Sequence, residues 1–143
     1  MKLLIDGDGC PDKEAIYQLS CRYHVEMIVF VDYAHIIKNR SYSVVYCEIG
    51  QDSVDMEILN QANVGDIVIT QDYGLAGLLL SKGCTVLHVN GMIIDSNNID
   101  SLLMTRYIGV KSRKRDKHIQ GPRKRNRQDK EKLLKQLEYL LLK

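Results

Sequence analysis

Two aspartates one residue apart, Asp6 and Asp8 in the stretch Lys2-Leu-Leu-Ile-Asp6-Gly-Asp8-Gly-Cys10-Pro11, are the first residues in this sequence able to do chemistry. Their like charges repel across a tight turn, and a divalent cation bound by both carboxylates relieves that repulsion. Taken alone, Asp-x-Asp is equally explained by turn shaping and helix capping. Two further acidic positions shift the balance: Asp52 with Asp55, and Asp72 in Gln71-Asp72-Tyr73-Gly74. Each again allows a capping or turn role, as does Asp66. No lysine or arginine adjoins Asp6, Asp8, Asp52, Asp55 or Asp72 in sequence to neutralise them. A set of hard oxygen ligands of this kind suits Mg2+ or Mn2+, with positions left for water and a phosphate oxygen. One ion, or two about 3.5–4 Å apart, would serve phosphodiester hydrolysis by activating water and stabilising the leaving oxygen.

For five acids spread over 67 positions to meet, the chain must fold so that strand ends converge. Leu3, Leu4 and Ile5 form a short apolar run of the kind found in a strand buried on both faces, which puts Asp6 at its carboxyl end. Gly7 and Gly9 allow a tight bend, and Pro11 suits the first position of a helix over residues 11–23, with Ala15, Ile16, Leu19 and Tyr23 as its apolar stripe. Residues 27–31 and 43–49 read as strands, whereas 33–42 carry no assignable period. A helix from Asp52 or Ser53 to Ala62, with Met56, Leu59 and Asn63 along one side, precedes a strand at 67–70. A helix at 75–81 ends at Lys82-Gly83, a strand covers 85–89, and Asn90-Gly91 turns into Met92-Ile93-Ile94. A helix at 97–108 directs Ile99, Leu102, Leu103 and Tyr107 inward. The last helix, 128–142, carries Leu133, Leu134, Leu137, Leu140 and Leu141 at helical spacing.

This alternation predicts an α/β fold, a three-layer α/β/α arrangement around a mainly parallel sheet of about five strands. One domain spans 1–143, with a basic loop at 111–127 and the 128–142 helix appended to it. In such a sheet the carboxyl ends of the strands share one edge, so the acids named above would share one cleft.

The 143 residues are 45% apolar and 27% charged, ordinary for a globular domain. No apolar run approaches the ~18 residues of a membrane span, and the start does not resemble a signal peptide, so a cytoplasmic protein with no membrane partner is expected. Cys10, Cys21, Cys47 and Cys84 lack zinc-site spacing and fit reduced core thiols; Cys10, near a helix start, is the one whose thiol pKa could be lowered. The net charge of +2 hides a division: residues 1–110 hold 14 acids and 7 bases, whereas 111–127 hold nine bases against Asp116 alone. An acidic body with a basic ribbon calls for a polyanionic partner, nucleic acid and RNA first, with a homo-oligomer left open. A solvated loop would show the same charge run. The ribbon residues Arg113, Lys114, Arg115, Arg123, Lys124 and Arg125 are the candidate phosphate contacts. Tyr107 is the aromatic nearest to them, so sequence-specific base readout is not indicated.

Several of these stretches together resemble the YaiI/YqxD family of uncharacterised bacterial proteins, over nearly the whole length. Ile5-Asp6-Gly7-Asp8-Gly9-Cys10-Pro11 is similar to the family's Val-Asp-x-Asp-x-Cys-Pro opening, and Asp52 with Asp55 to its Asp-x-x-Asp. Gly65-Asp66-Ile67-Val68-Ile69-Thr70-Gln71-Asp72 with Leu75-Ala76 is similar to its Gly-Asp-x-Val-Val-Thr-x-Asp-x-x-Leu-Ala; Asn98-Ile99, Arg106, Gly121-Pro122 and Asp129 also match. The family's Pro-Phe-Ser is replaced by Lys124, Arg125 and Asn126, and its later Arg, Arg and Phe by Lys130, Lys132 and Leu133; Asn126 can still cap as the serine would. The family is grouped with PIN-like domains, commonly metal-dependent ribonucleases. The resemblance therefore implies a PIN-like fold with Asp6, Asp55 and Asp72 as metal ligands and Asp8 and Asp52 as supporting ligands or water-orienters. Asp6, Asp8, Asp55 and Asp72 become the expected catalytic residues, and Arg106 joins the ribbon in holding substrate phosphates.

The expected function is a Mg2+- or Mn2+-dependent nuclease acting on RNA. Two rivals stand beside it. Asp6-Gly-Asp8 also resembles the nucleophile-and-acid pair of haloacid-dehalogenase phosphatases, although Lys82, at a helix end, does not obviously supply the later lysine they need. A non-catalytic RNA-binding or regulatory module would use the ribbon for binding and the acids for a structural ion.

Overall fold

The structure, a computed structural model, describes residues 1–38, 41–50, 52–115 and 124–143, with the backbone alone at 110 and 112–115. Six strands, β1 (Lys2–Asp6), β2 (Glu26–Asp32), β3 (Ser43–Cys47), β4 (Ile67–Ile69), β5 (Thr85–Leu87) and β6 (Ile93–Ile94), form one sheet in the order β3-β2-β1-β4-β5-β6. β1 pairs in parallel with both β2 and β4; β2 with β3 and β4 with β5 are parallel too, and β6 runs antiparallel to β5. Among the described residues five α-helices accompany them: α1 (Lys13–Arg22), α2 (Ser53–Gln61), α3 (Tyr73–Ser81), α4 (Ile99–Arg115) and α5 (Arg127–Leu141).

Side chains alternate across a strand, so a strand covered on both faces must be apolar throughout. In β1, Leu3 and Ile5 pack with Ile16 and Leu19 of α1 and with Leu133, Leu137 and Leu141 of α5. Leu4 faces the other way, toward Val54 and Ile58 of α2 and Leu75, Ala76 and Leu79 of α3. The result is three layers, with α1 and α5 on one side of the sheet and α2, α3 and α4 on the other. The chain leaves β1 through α1 toward β2 and returns through α2 to β4. Right-handed crossovers made in opposite directions must lie on opposite faces. The carboxyl ends of β1 and β4 therefore flank the point where strand order reverses, the place where such sheets open a crevice.

The α/β alternation, the parallel sheet and the inward leucines of α5 agree with the sequence reading; several details do not. The sheet has six strands, because Ile93–Ile94 adds an antiparallel edge. Gly7–Gly9 is a single 3-10 turn and α1 starts at Lys13, so Pro11 precedes the helix. On α2 the buried side chains are Val54 and Ile58, while Met56 is exposed. α4 does not stop at residue 108 but continues to Arg115, so the first part of the basic ribbon is helical, and Leu103 and Tyr107 are exposed rather than inward. Lysine and arginine are good helix formers, and with no proline in 109–115 the helix runs on through Gly109, which weakens it without ending it. Residues 116–123 of the ribbon, Gly121-Pro122 and Arg123 among them, lie outside the described residues, and Arg127 opens α5.

The start of α5 is capped by its own residues. Asn126 accepts the Asp129 N–H at 3.0 Å and Asp129 accepts the Asn126 N–H at 2.9 Å, a reciprocal capping box. Cys10, Cys47 and Cys84 are buried free thiols and Cys21 an exposed one; burial pushes the Cys10 thiol up, against the lowering that its position allowed. Among the described residues, no helix is long and apolar enough to cross a membrane.

Candidate functional site

Asp6 ends β1 and is buried, its Oδ2 accepting a hydrogen bond from the Thr70 hydroxyl at 2.9 Å. Thr70, just beyond β4, in turn accepts the Asp72 N–H at 3.0 Å. One hydroxyl thus ties the ends of the two central strands together and aims their acids at the same crevice. Asp72 caps α3, its Oδ1 accepting the Leu75 N–H at 3.1 Å, and the same oxygen lies 3.3 Å from Nη1 of Arg106 on α4. Asp55, in the first turn of α2, shares a hydrogen bond with Asp72. Asp52 stands at the N-cap of α2 with φ of 67°, in the left-handed region, and makes no side-chain cap bond. Holding a non-glycine residue there costs about 1–2 kcal/mol, least for Asp and Asn. Asp52, Asp55, Asp72 and Arg106 line a cleft of about 480 Å³.

The electrostatics follow from this crowding. Burial, the hydrogen bond with Asp72 and the charges of Asp72, Asp6 and Asp52 push the Asp55 carboxyl up to about 7. Asp72 moves the other way: burial pushes it up, but the Leu75 N–H, the Asp55 hydrogen bond and the Arg106 charge together bring it below the usual carboxylate range. The two therefore titrate together, Asp55 holding its proton to higher pH than Asp72. Asp6 is raised by burial and by the Asp8 and Asp72 charges, against the lowering effect of Thr70.

Asp8 belongs to a neighbouring group that sequence reasoning missed. Nδ1 of His35 lies 2.7 Å from Oδ1 of Asp32 and 3.4 Å from Oδ1 of Asp8. Among the described residues, Asp8, Asp32 and His35 are the group of three whose potential ligand atoms all lie within 4.8 Å of one another; Asp6, Asp55 and Asp72 are less tightly gathered. The hydrogen bond to Asp32 and the Asp8 charge raise the His35 pKa, and the same bond lowers that of Asp32. Asp32 terminates β2 by the rule that found Asp6 at the end of β1, so its strand position was the available signal. The five expected acids therefore do not form one ring. Asp52, Asp55 and Asp72 line the cleft, Asp6 lies outside its lining but near enough for its charge to raise Asp55, and Asp8 faces Asp32 and His35.

Cations absent from the adjoining sequence arrive through the fold. Arg106 reaches Asp72 from α4, and Lys13, whose Nζ donates to the Cys10 carbonyl at 2.6 Å, lowers Asp6 and Asp8 electrostatically. Gly7 lets the turn between Asp6 and Asp8 lie against β2, since a Cβ there would stand 2.5 Å from Val31 and 2.9 Å from the Phe30 carbonyl oxygen.

The basic residues separate into three kinds. Arg106 is at the cleft. The backbone of Arg113, Lys114 and Arg115 forms the end of α4, about 10–14 Å along the axis from Arg106. Lys124 is exposed. Arg125 turns into the fold: its Nε donates to the Val89 carbonyl at 3.1 Å and its guanidinium pairs with Asp12, so it serves the docking of α5.

The family model described as "Uncharacterized BCR, YaiI/YqxD family" matches residues 4–143. The chain belongs to that family. Relatives named UPF0178 protein occur in Natranaerobius thermophilus, 42% identical over 90% of this chain and 88% of the relative, and in Clostridium tetani, 40% identical over 99% and 97%. Another from Bacillus cytotoxicus is 38% identical over 98% of this chain and 92% of its own length. No solved structure matches the chain.

Proposed function

We propose that this YaiI/YqxD-family protein is a Mg2+- or Mn2+-dependent nuclease with a PIN-like site that cleaves RNA. The observation that carries the reading is the Asp55–Asp72 pair by the strand-order reversal, with Asp52 in the same cleft lining and the charges of Asp6 and Asp52 both acting on Asp55. Carboxylates crowded together with a single guanidinium among them are a donor set suited to a hard divalent cation. Asp6, Asp55 and Asp72 would hold the ion, with Asp52 supporting it and Asp8 orienting water from the adjoining group. Such an ion supplies an activated water and neutralises charge developing on the leaving oxygen.

The remaining work falls to the chain. Thr70 fixes the Asp6 carboxylate through a hydrogen bond at 2.9 Å, and the α3 cap fixes Asp72, so both acids are held before any ligand arrives. Arg106 would exchange Asp72 for a phosphate oxygen as substrate enters, leaving the Asp72 carboxylate to the bound cation. Residues 111–115 continue α4 away from the cleft and give the following phosphates a cationic path, against an acidic body that would otherwise repel the strand.

The test compares cleavage of a mixed RNA and of single-stranded DNA by the wild-type protein and by Asp6→Asn, with Mn2+ added. RNA cleavage that falls at least about a hundredfold in the variant supports the assignment. Equal background cleavage by both proteins ends it, and RNA binding without turnover would identify a non-catalytic module.

A further inference from the structure

We infer that the apolar part of the cleft is a nucleobase subsite, holding one unstacked base beside the phosphate that Arg106 receives; this rests on the nuclease reading above. The acids and Arg106 make up only part of the cleft lining. Much of the rest is Met56 and Leu59 of α2 and Leu75 and Leu78 of α3. Leu75 is buried and belongs to the core, and Leu59 is half-buried against it, whereas Met56 and Leu78 are 63% and 56% exposed. Neither exposed chain is needed to pack α2 on α3, yet the two stand on adjacent helices at the mouth of a charged pocket. Apolar surface collected in a concave site beside a few convergent polar groups is the usual make-up of a small-ligand site, and about 480 Å³ is within the range for one.

The occupant follows from what the two parts ask for together. Among the described residues lining the cleft, Arg106 is the cation, and it calls for an anionic group within its reach. A hydrated ion or a bare phosphate would leave the methionine and leucines wet. A planar ring attached to that phosphate through a sugar would cover them. The apolar wall offers no side-chain donor or acceptor, so it reads no base edge and accepts purines and pyrimidines alike. A base can enter only when out of a stack, so the subsite selects single-stranded or frayed nucleic acid over an intact duplex.

The experiment titrates the wild-type protein, with Mg2+ present, against AMP and ribose 5-phosphate, which share sugar and phosphate and differ by the base. AMP is expected to bind roughly tenfold tighter, the worth of about 60 Å² of apolar surface withdrawn from water, with CMP close to AMP. Met56→Ser combined with Leu78→Ser, at exposed positions that leave the core intact, should erase the difference while ribose 5-phosphate binding stays unchanged. Equal affinities for AMP and ribose 5-phosphate in the wild-type protein overturn the subsite, as does an AMP preference that survives in the double variant. Cleavage of RNA decides the nuclease reading separately. An active enzyme that cuts equally well next to an abasic nucleotide loses the subsite and keeps its activity, and an inactive protein that prefers AMP does the reverse.

Discussion

Nη1 of Arg106 lies 3.3 Å from the Asp72 oxygen that also caps α3 through the Leu75 N–H, so one carboxylate oxygen joins the helix carrying the basic segment to the acidic cleft. The Arg106 side chain is half exposed, and a pair of this kind contributes no more than about 1 kcal/mol to stability. Arg106→Gln should therefore melt within a few degrees of the wild-type protein. Its effect belongs to binding: RNA affinity should fall, and the slope of log K against log salt should lose about 0.7 for a single strand. Fluorescence anisotropy across a salt series measures both, and an unchanged slope would remove Arg106 from the phosphate path.

Asp55 predicts a pH dependence of stability in the metal-free protein. Its carboxyl is raised from 3.8 to about 7 in the folded state, so the fold favours the protonated form. The stability it lends is complete below about pH 4 and is lost as pH rises through about 7. Asp55→Asn keeps a neutral group there and should be the more stable protein near pH 8, by about 1 kcal/mol once solvent screening of this partly exposed pair is allowed for. At or below about pH 4 the two should melt together. Chelator-treated thermal melts at both pH values check this, and a difference of the same size at each would count against the raised Asp55 carboxyl.

Asp6 and Asp72 were readable because a parallel sheet puts its strand ends on one edge, and an apolar run followed by an acid marks such an end. Asp55 was readable as a first-turn acid. Asp32 obeys the same strand-end rule, but its partner His35 lies in a stretch with neither helical nor strand period, so nothing in the sequence brings the imidazole back to Asp8. Thr70 looked like the last residue of a strand, and only the pairing of β1 with β4 gives its hydroxyl an acid to bind. In the basic ribbon, composition could not separate Arg106, facing the cleft, from Arg125, which turns inward to Asp12 and Val89. Charge patterning reports an electrostatic field; which guanidinium meets solvent depends on where α5 docks.

Divalent cation should stabilise the native state by mass action, since the unfolded chain disperses the ligands. Mn2+ at a hundred times its dissociation constant should add about 2.7 kcal/mol. Asp72→Asn should abolish most of that gain while keeping the α3 cap, because the amide oxygen can still accept the Leu75 N–H. Differential scanning fluorimetry over a Mn2+ titration reads the effect. A wild-type melting point indifferent to Mn2+ and Mg2+ would leave the cluster without an ion.

Asp66 has a structural task at the opposite ends of the strands. It is buried and accepts the Lys2 N–H at 2.8 Å, the Lys2 ammonium at 3.0 Å and the Asn63 N–H at 2.8 Å. Burial alone would raise its pKa, but these donors lower it below 3.8, so its contribution is present above that pH and disappears as pH falls through the lower folded value. Asp66→Ala leaves two backbone N–H groups and a lysine without their acceptor and should cost about 2–4 kcal/mol. Urea unfolding at neutral pH should show the loss as an earlier midpoint, and a midpoint within error of the wild-type protein would contradict it.

Two glycines in the same backbone region separate strain from packing. Gly65 and Gly91 have φ of +88° and +92°. A Cβ on Gly65 would meet nothing within 4 Å, whereas on Gly91 it would stand 2.6 Å from Lys132 Cγ and 2.7 Å from the Leu133 backbone nitrogen. Gly65→Ala should therefore cost only the left-handed conformation, about 1 kcal/mol. Gly91→Ala adds a clash with the backbone of α5, which can be relieved only by moving Leu133 out of the core, and should cost about 2 kcal/mol more. Hydrogen exchange should show the extra loss concentrated in residues 127–141 of the Gly91 variant and absent from the Gly65 variant. Equal destabilisation of the two would mean that α5 does not bear on the turn after β5, and that the docking of the last helix rests on Leu133, Leu137 and Leu141 alone.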